Sequence, residues 1–181
     1  YDPDSTLNAL NKIGALIKKN NNSVTLTKRS NAFIDALEEL DLGNSGTGIR
    51  LMLGLVSGLG IGASFIGDSS LSKRPMSRIT EPLKKFGVRV DNTKGFLPVK
   101  LEQSDFLFTN SFDIKIASAQ VKSAVILACL NLKGETIINE YSPSRNHTEI
   151  LLKHLGAKIN VKKTDKKNII TISGPNTLKP K

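Results

Sequence analysis

Four short segments of the chain carry residue types suited to binding anions. Asn44-Ser45-Gly46-Thr47 and Ser118-Ala119-Gln120 each place small polar residues directly before an apolar run, Ile49–Leu55 and Val121–Leu130. Such runs read as helices, and the free N–H groups and dipole at a helix N-terminus favour negative charge. Gly46 leaves room for a ligand to approach the backbone. Lys73-Arg74-Pro75-Met76-Ser77-Arg78 puts three cations at another helix start, where they oppose the dipole. That placement suits a nearby anion gripped by arginine in bidentate fashion. Ser144-Arg145-Asn146-His147 opens a fourth helix. Taken singly, each Ser or Asn is also an ordinary N-cap, and each Lys-Arg pair an ordinary solvated surface. No Gly-Lys-Ser/Thr follows Gly46, so this is not a Walker A loop.

Other chemistries find little support. The single Cys129 lies among Val125-Ile126-Leu127-Ala128 and reads as an inert core thiol; with one Cys no disulfide forms within the chain. His147 and His154 have no third ligand, so no metal site is expected. Glu38, Glu39 and Asp41 read as a polar helix end or loop. No nucleophile–base pair and no convincing carboxylate pair is present.

The elements that must position these residues repeat. Leu10–Ile17, Leu83–Val90 and Leu152–Ile159 match one another, with Gly14, Gly87 and Gly156 in register. Each reads as a helix that ends at a glycine, then a strand, a polar turn and a second strand. The second strands fall near Val24–Leu26, Leu97–Leu101 and Ile169–Ile172. Asp4-Ser5, Ser69 to Pro75 and Ser142 to Asn146 are the helix start signals, and Pro82 should bend or delay the second helix.

In the two later repeats an apolar helix and a strand stand upstream, the strands at about Ala63–Ile66 and Thr136–Tyr141, with Asp113–Ala117 leading into the third repeat. Ser45 and Ser118 are 73 residues apart, close to the glycine period. One period before Ser45 falls almost thirty residues ahead of Tyr1, so the first repeat reads as truncated and the chain as a piece of a longer protein. The expected fold is α/β (α+β), with repeat one over 1–41, repeat two over 42–105, repeat three over 106–174, and a solvated exit over 175–181 toward a second domain.

Composition agrees. A chain of 181 residues with 39% apolar residues can bury one core. The formal net charge of +10 suits phosphorylated partners, and 5% aromatics without Trp weakens a single-strand nucleic-acid reading. Tyr1-Asp2-Pro3-Asp4 shows no basic or apolar leader, so no secretory signal is expected. Gly54-xxx-Gly58 and Gly58-xxx-Gly62 have the spacing of membrane helix dimers. The uncharged run Leu51–Ile66 is nevertheless shorter than the ~20 residues a bilayer requires. It reads as a core helix, a turn over Gly58–Gly62 and a core strand.

Leu42-Gly43-Asn44-Ser45-Gly46-Thr47, the Gly67-Asp68 to Arg74-Pro75-Met76 segment, Ser118-Ala119-Gln120-Val121-Lys122-Ser123-Ala124 and Ser144-Arg145-Asn146-His147-Thr148-Glu149 resemble the EPSP synthases, the enolpyruvyl transferases of the shikimate pathway. The Ser-Ala-Gln form resembles their second bacterial class. The resemblance implies an inside-out α/β barrel of βαβαββ repeats and a place within the N-terminal of two domains. It implies transfer of the enolpyruvyl group of phosphoenolpyruvate to the 5-hydroxyl of shikimate 3-phosphate, in the cytoplasm, with no cofactor, nucleic acid or membrane.

By the same resemblance Gly46, Arg74 and Gln120 would bind phosphoenolpyruvate. Ser118, Ala119, Gln120 and Arg145 would bind shikimate 3-phosphate, and Asn44 and Thr47 would shape the loop. The family's Lys-Ser-x-x-x-Arg motif would fall in the missing first helix. Its catalytic acidic residue and Lys-Glu pair would fall in a second domain. No catalytic residue is therefore assigned in this chain, which by itself is expected to show no turnover. Gly46, where some second-class members have Ala, implies ordinary glyphosate sensitivity. The alternatives are the sister UDP-N-acetylglucosamine enolpyruvyl transferase and a non-catalytic anion- or RNA-binding module.

Overall fold

A computed structural model describes residues 2–27 and 33–179. Helix α1 (Asp2–Lys12) is followed by the hairpin β1 (Leu16–Asn20) and β2 (Ser23–Thr27). Strand β3 (Leu40–Asp41) leads into α2 (Gly46–Leu59) and β4 (Ala63–Ile66). A short 3-10 turn at Leu71–Lys73 precedes α3 (Ser77–Lys84), β5 (Val90–Thr93) and β6 (Phe96–Leu101). The series then runs again: β7 (Ser111–Ile114), α4 (Ala119–Cys129), β8 (Gly134–Glu140), α5 (His147–His154), β9 (Ile159–Lys163) and β10 (Asn168–Gly174).

The two βαβαββ units share one sheet topology. Their strand orders are β3-β4-β6-β5 and β7-β8-β10-β9. In each, the first pair is parallel and the other two are antiparallel. The α1–β1–β2 segment corresponds to the second half of such a unit. The glycine signal is common to all three: Gly14, Gly87 and Gly156 have φ of 96°, 88° and 94°. Each donates its N–H three residues back, to Asn11, Lys84 and Lys153. Only a residue without Cβ takes that turn without strain. The sheets do not close into a barrel among the described residues; they remain separate, two four-stranded sheets and the β1–β2 hairpin.

The central seam is the α2–α4 contact. A Cβ on Gly54 would lie 2.2 Å from the Ala124 carbonyl oxygen, and one on Gly58 2.2 Å from that of Ala128. The small-residue spacing therefore serves a close helix pair inside this chain. Helix α2 continues through Gly58 and stops at left-handed Gly60, so the expected turn is shorter than the sequence suggested. Strand β7 begins at Ser111 and ends at Ile114, earlier than Asp113–Ala117. Around the seam, Leu40, Leu53, Phe65, Met76, Ile79 and Leu83 are buried. Leu97, Val99 and Leu101 alternate inward along β6, and Phe86 packs on Phe112 with ring centroids 4.5 Å apart. Cys129 is buried, and its burial pushes the thiol up to about 12. No described helix is long and apolar enough to cross a membrane.

The chain after β10 is mostly exposed, and a few hydrogen bonds tie it back to the third repeat. Asn176 donates its backbone N–H to Leu130 O and accepts from Lys158 N–H, while Lys179 N–H reaches Leu155 O.

Candidate functional site

Helices α2 and α4 run parallel, because contacts that begin at Thr47–Gln120 continue through Gly54–Ala124 to Gly58–Ala128. Their N-termini lie side by side. Ser45 Oγ accepts from Gly48 N–H at 3.1 Å and Ser118 Oγ from Val121 N–H at 3.4 Å. Both serines therefore act as N-caps, and each hydroxyl keeps one hydrogen to donate.

Beside the α2 terminus, a chain of polar contacts sets Arg74. Asp68 Oδ1 accepts from the Ser70 and Leu71 N–H groups, at 3.0 and 2.7 Å. Its Oδ2 accepts from Asn44 Nδ2 at 3.0 Å, and Asn44 Oδ1 accepts from Arg74 Nη2 at 2.7 Å. The guanidinium stands over Gly46, where an added Cβ would lie 2.7 Å from Arg74 Nη1. The Gly67-Asp68 segment thus orients Asn44, and Asn44 orients Arg74.

Sequence reasoning missed Arg50. It lies one turn into α2 and donates through Nη1 to Gly46 O (3.3 Å) and to Gln120 Oε1 (2.7 Å). Burial, and then the charges of Arg74 and Arg78, depress its pKa below the usual arginine value. The available signal was the lone charge in the Gly46–Leu59 helix, close to an N-terminus that disfavours cations. Gln120 completes the bridge by donating Nε2 to Thr47 Oγ1 at 2.8 Å. Thr47 lies within α2 and links the two helices, where the loop-shaping role had placed it in the preceding turn.

On the α4 side, Thr47, Ala119, Gln120, Ser123 and Arg145 line a cleft of about 210 Å³. Ser118 does not line it. That residue borders a neighbouring cleft of about 310 Å³ with Arg78, Lys85, Lys115 and apolar Phe112 and Val121. The structure thus gathers Asn44, Gly46 and Arg74 on one side, and Thr47, Ala119 and Arg145 on the other, with Gln120 and Arg50 between. Among the described residues none of Arg50, Arg74, Arg78 and Arg145 is ion-paired with a carboxylate. Positive charge without carboxylate partners, beside two helix N-termini, is an arrangement for holding anions.

A family model described as EPSP synthase (3-phosphoshikimate 1-carboxyvinyltransferase) matches residues 1–181. The chain belongs to the EPSP synthase family. It is 45% identical over 163 residues to the 3-phosphoshikimate 1-carboxyvinyltransferase of Ruthia magnifica subsp. Calyptogena magnifica, a match over 90% of this chain and 38% of that protein. It is 40% identical over 181 residues to the protein of the same name from Streptococcus uberis, covering 98% of this chain and 42% of that one. A solved EPSP synthase from Acinetobacter baumannii superposes with a TM-score of 0.83 at 36% identity, over 97% of this chain and 39% of that one. The mixed α/β repeats are therefore the EPSP synthase architecture, and the chain spans less than half the length of these relatives.

Proposed function

We propose that this chain is the part of an EPSP synthase that grips its two anionic substrates, shikimate 3-phosphate and phosphoenolpyruvate. The observation that carries this reading is the pair Arg50 and Arg74 at the start of α2, without carboxylate partners, beside the cleft that Gln120 and Arg145 line. Arg74 and the Gly46 backbone hold phosphoenolpyruvate, with Arg50 adding charge behind them. Ala119, Gln120 and Arg145 hold shikimate 3-phosphate, and Ser118, bordering the neighbouring cleft, caps the α4 terminus beside them.

In the reaction, the 5-hydroxyl of shikimate 3-phosphate gives up its proton to a base as its oxygen bonds to the central carbon of phosphoenolpyruvate, while an acid adds a proton to the methylene carbon. The tetrahedral ketal then loses phosphate and returns a proton from the methyl group. Fixed cations and helix dipoles act on the anionic groups throughout, so the chain contributes positioning and electrostatic stabilisation. The proton transfers fall to a second domain of the same protein, acting in the cytoplasm in aromatic amino-acid biosynthesis.

The chain alone is therefore expected to bind and not to turn over. A phosphate-release assay with both substrates should stay at background. Release that disappears in Arg74→Ala would overturn this division of labour.

A further inference from the structure

Lys122 lies on α4 one turn beyond Ser118, with 1% of its side chain exposed. Its ammonium is 3.0 Å from Glu140 Oε1 and 2.8 Å from Glu149 Oε1, and these carboxylates are 1% and 5% exposed. Desolvating three charges is expensive, and an apolar set of similar volume commonly holds a fold as well or better. The triad's contacts show what else it does.

Glu140 ends β8, and its Oε1 accepts from both the N–H (3.0 Å) and the hydroxyl (2.6 Å) of Ser144. Asn168 Nδ2 holds the other oxygen at 3.0 Å, and Lys122 Nζ reaches Ser144 O at 3.5 Å. At the far end, Glu149 stands in the first turn of α5 beside Thr148, whose Oγ1 is 2.6 Å from Ser123 Oγ on α4. Glu149 Oε2 is buried with no partner, so the described polar contact of this carboxylate is through its other oxygen, to Lys122. Between these two anchors runs the irregular segment 141–146, which carries Arg145. The triad borders a separate cavity of about 710 Å³ and does not line the Arg145 cleft.

We infer that Lys122, Glu140 and Glu149 are positioning residues: the buried triad pins both ends of segment 141–146 to α4, and so sets Arg145 against Ala119 and Gln120. This rests on the reading of that cleft as the shikimate 3-phosphate side. Because the pairs are buried, salt screens them little, and the loop keeps its place while exposed ion pairs weaken.

The test compares the chain with Lys122→Met/Glu140→Gln/Glu149→Gln, which removes all three charges at similar volume, and with Ser144→Ala, which removes one link and leaves the triad. Amide hydrogen exchange and calorimetric titration with shikimate 3-phosphate are the readouts. The triple variant should keep its melting transition and its exchange rates in α2. Its Ser144 amide, hydrogen-bonded to Glu140 in the parent, should exchange at least about tenfold faster, and affinity should fall about tenfold.

A folded triple variant with unchanged exchange at the Ser144 amide overturns the inference. Should the triple variant not fold, Ser144→Ala decides: faster exchange confined to the segment supports pinning, and unchanged rates contradict it. Should the parent chain not bind shikimate 3-phosphate, exchange still decides the pinning, and only the ligand assignment fails.

Discussion

Arg74 and Gly46 show how closely one site residue depends on another. The space above Gly46 is filled by the Arg74 guanidinium, the far end of a flexible side chain. Gly46→Ala should therefore cost the fold less than about 1 kcal/mol, since Ala also suits a helix start better than Gly. It should still displace Arg74 and weaken phosphoenolpyruvate binding, which a denaturation curve and a titration measure together. Arg50→Leu relieves repulsion from Arg74 and Arg78. Its stability should change by less than about 1 kcal/mol while anion affinity falls about tenfold.

Glu140 gives a pH prediction. Burial alone would raise its pKa, but hydrogen bonds from Ser144, Asn168 and Lys122, with the lysine charge, outweigh burial and lower it. A carboxyl held lower in the folded state adds stability above the unfolded value, near 4.5, and loses it as pH falls through the folded value. Melting temperature should drop across that acid range, and Glu140→Gln should flatten this part of the profile. Gly46, Arg74, Gln120 and Arg145 were legible because motifs and repeat register marked them. Arg50 and Lys122 were not, because a single cation in an apolar helix reads as an exposed position until the facing elements are known.

At the scale of elements, the α2–α4 seam determines whether the site exists. Both anion-facing N-termini sit on these helices, and Gly54 and Gly58 let their backbones meet. Here the obstructing atoms are backbone, which cannot rotate aside. Gly54→Ala should destabilise the chain by about 1–3 kcal/mol and also spoil the Thr47–Gln120 bridge. Thermal melting checks the first effect and substrate titration the second. A variant as stable as the parent would refute the close packing.

The sequence showed the spacing of these glycines but not the partner face, because residues 70 positions away supply it. Helix ends were legible at Gly14, Gly87 and Gly156, where repeat register marked a glycine that takes positive φ, and less so at Gly60, which lacks that register. The early end of β7 was not legible, because Ile116 continues the apolar alternation after the pairing with β8 has stopped.

For the whole molecule, a formal net charge of +10 and an arginine cluster without carboxylate partners make attraction of anions long-ranged and salt-sensitive. Shikimate 3-phosphate affinity should fall between low and physiological ionic strength, while the buried Lys122 triad holds. The repeat, legible in the glycines, became a pair of identical sheet topologies. The separate placement of Ser118 and Arg145 in neighbouring clefts was not legible, because it depends on which side of α4 each loop crosses. The most direct measurement is calorimetric titration of this chain with shikimate 3-phosphate beside Arg145→Ala. The account predicts saturable binding, weakened about tenfold or more by the substitution, since a charge-assisted grip is lost. No binding by a folded chain, or equal binding by the variant, would contradict it.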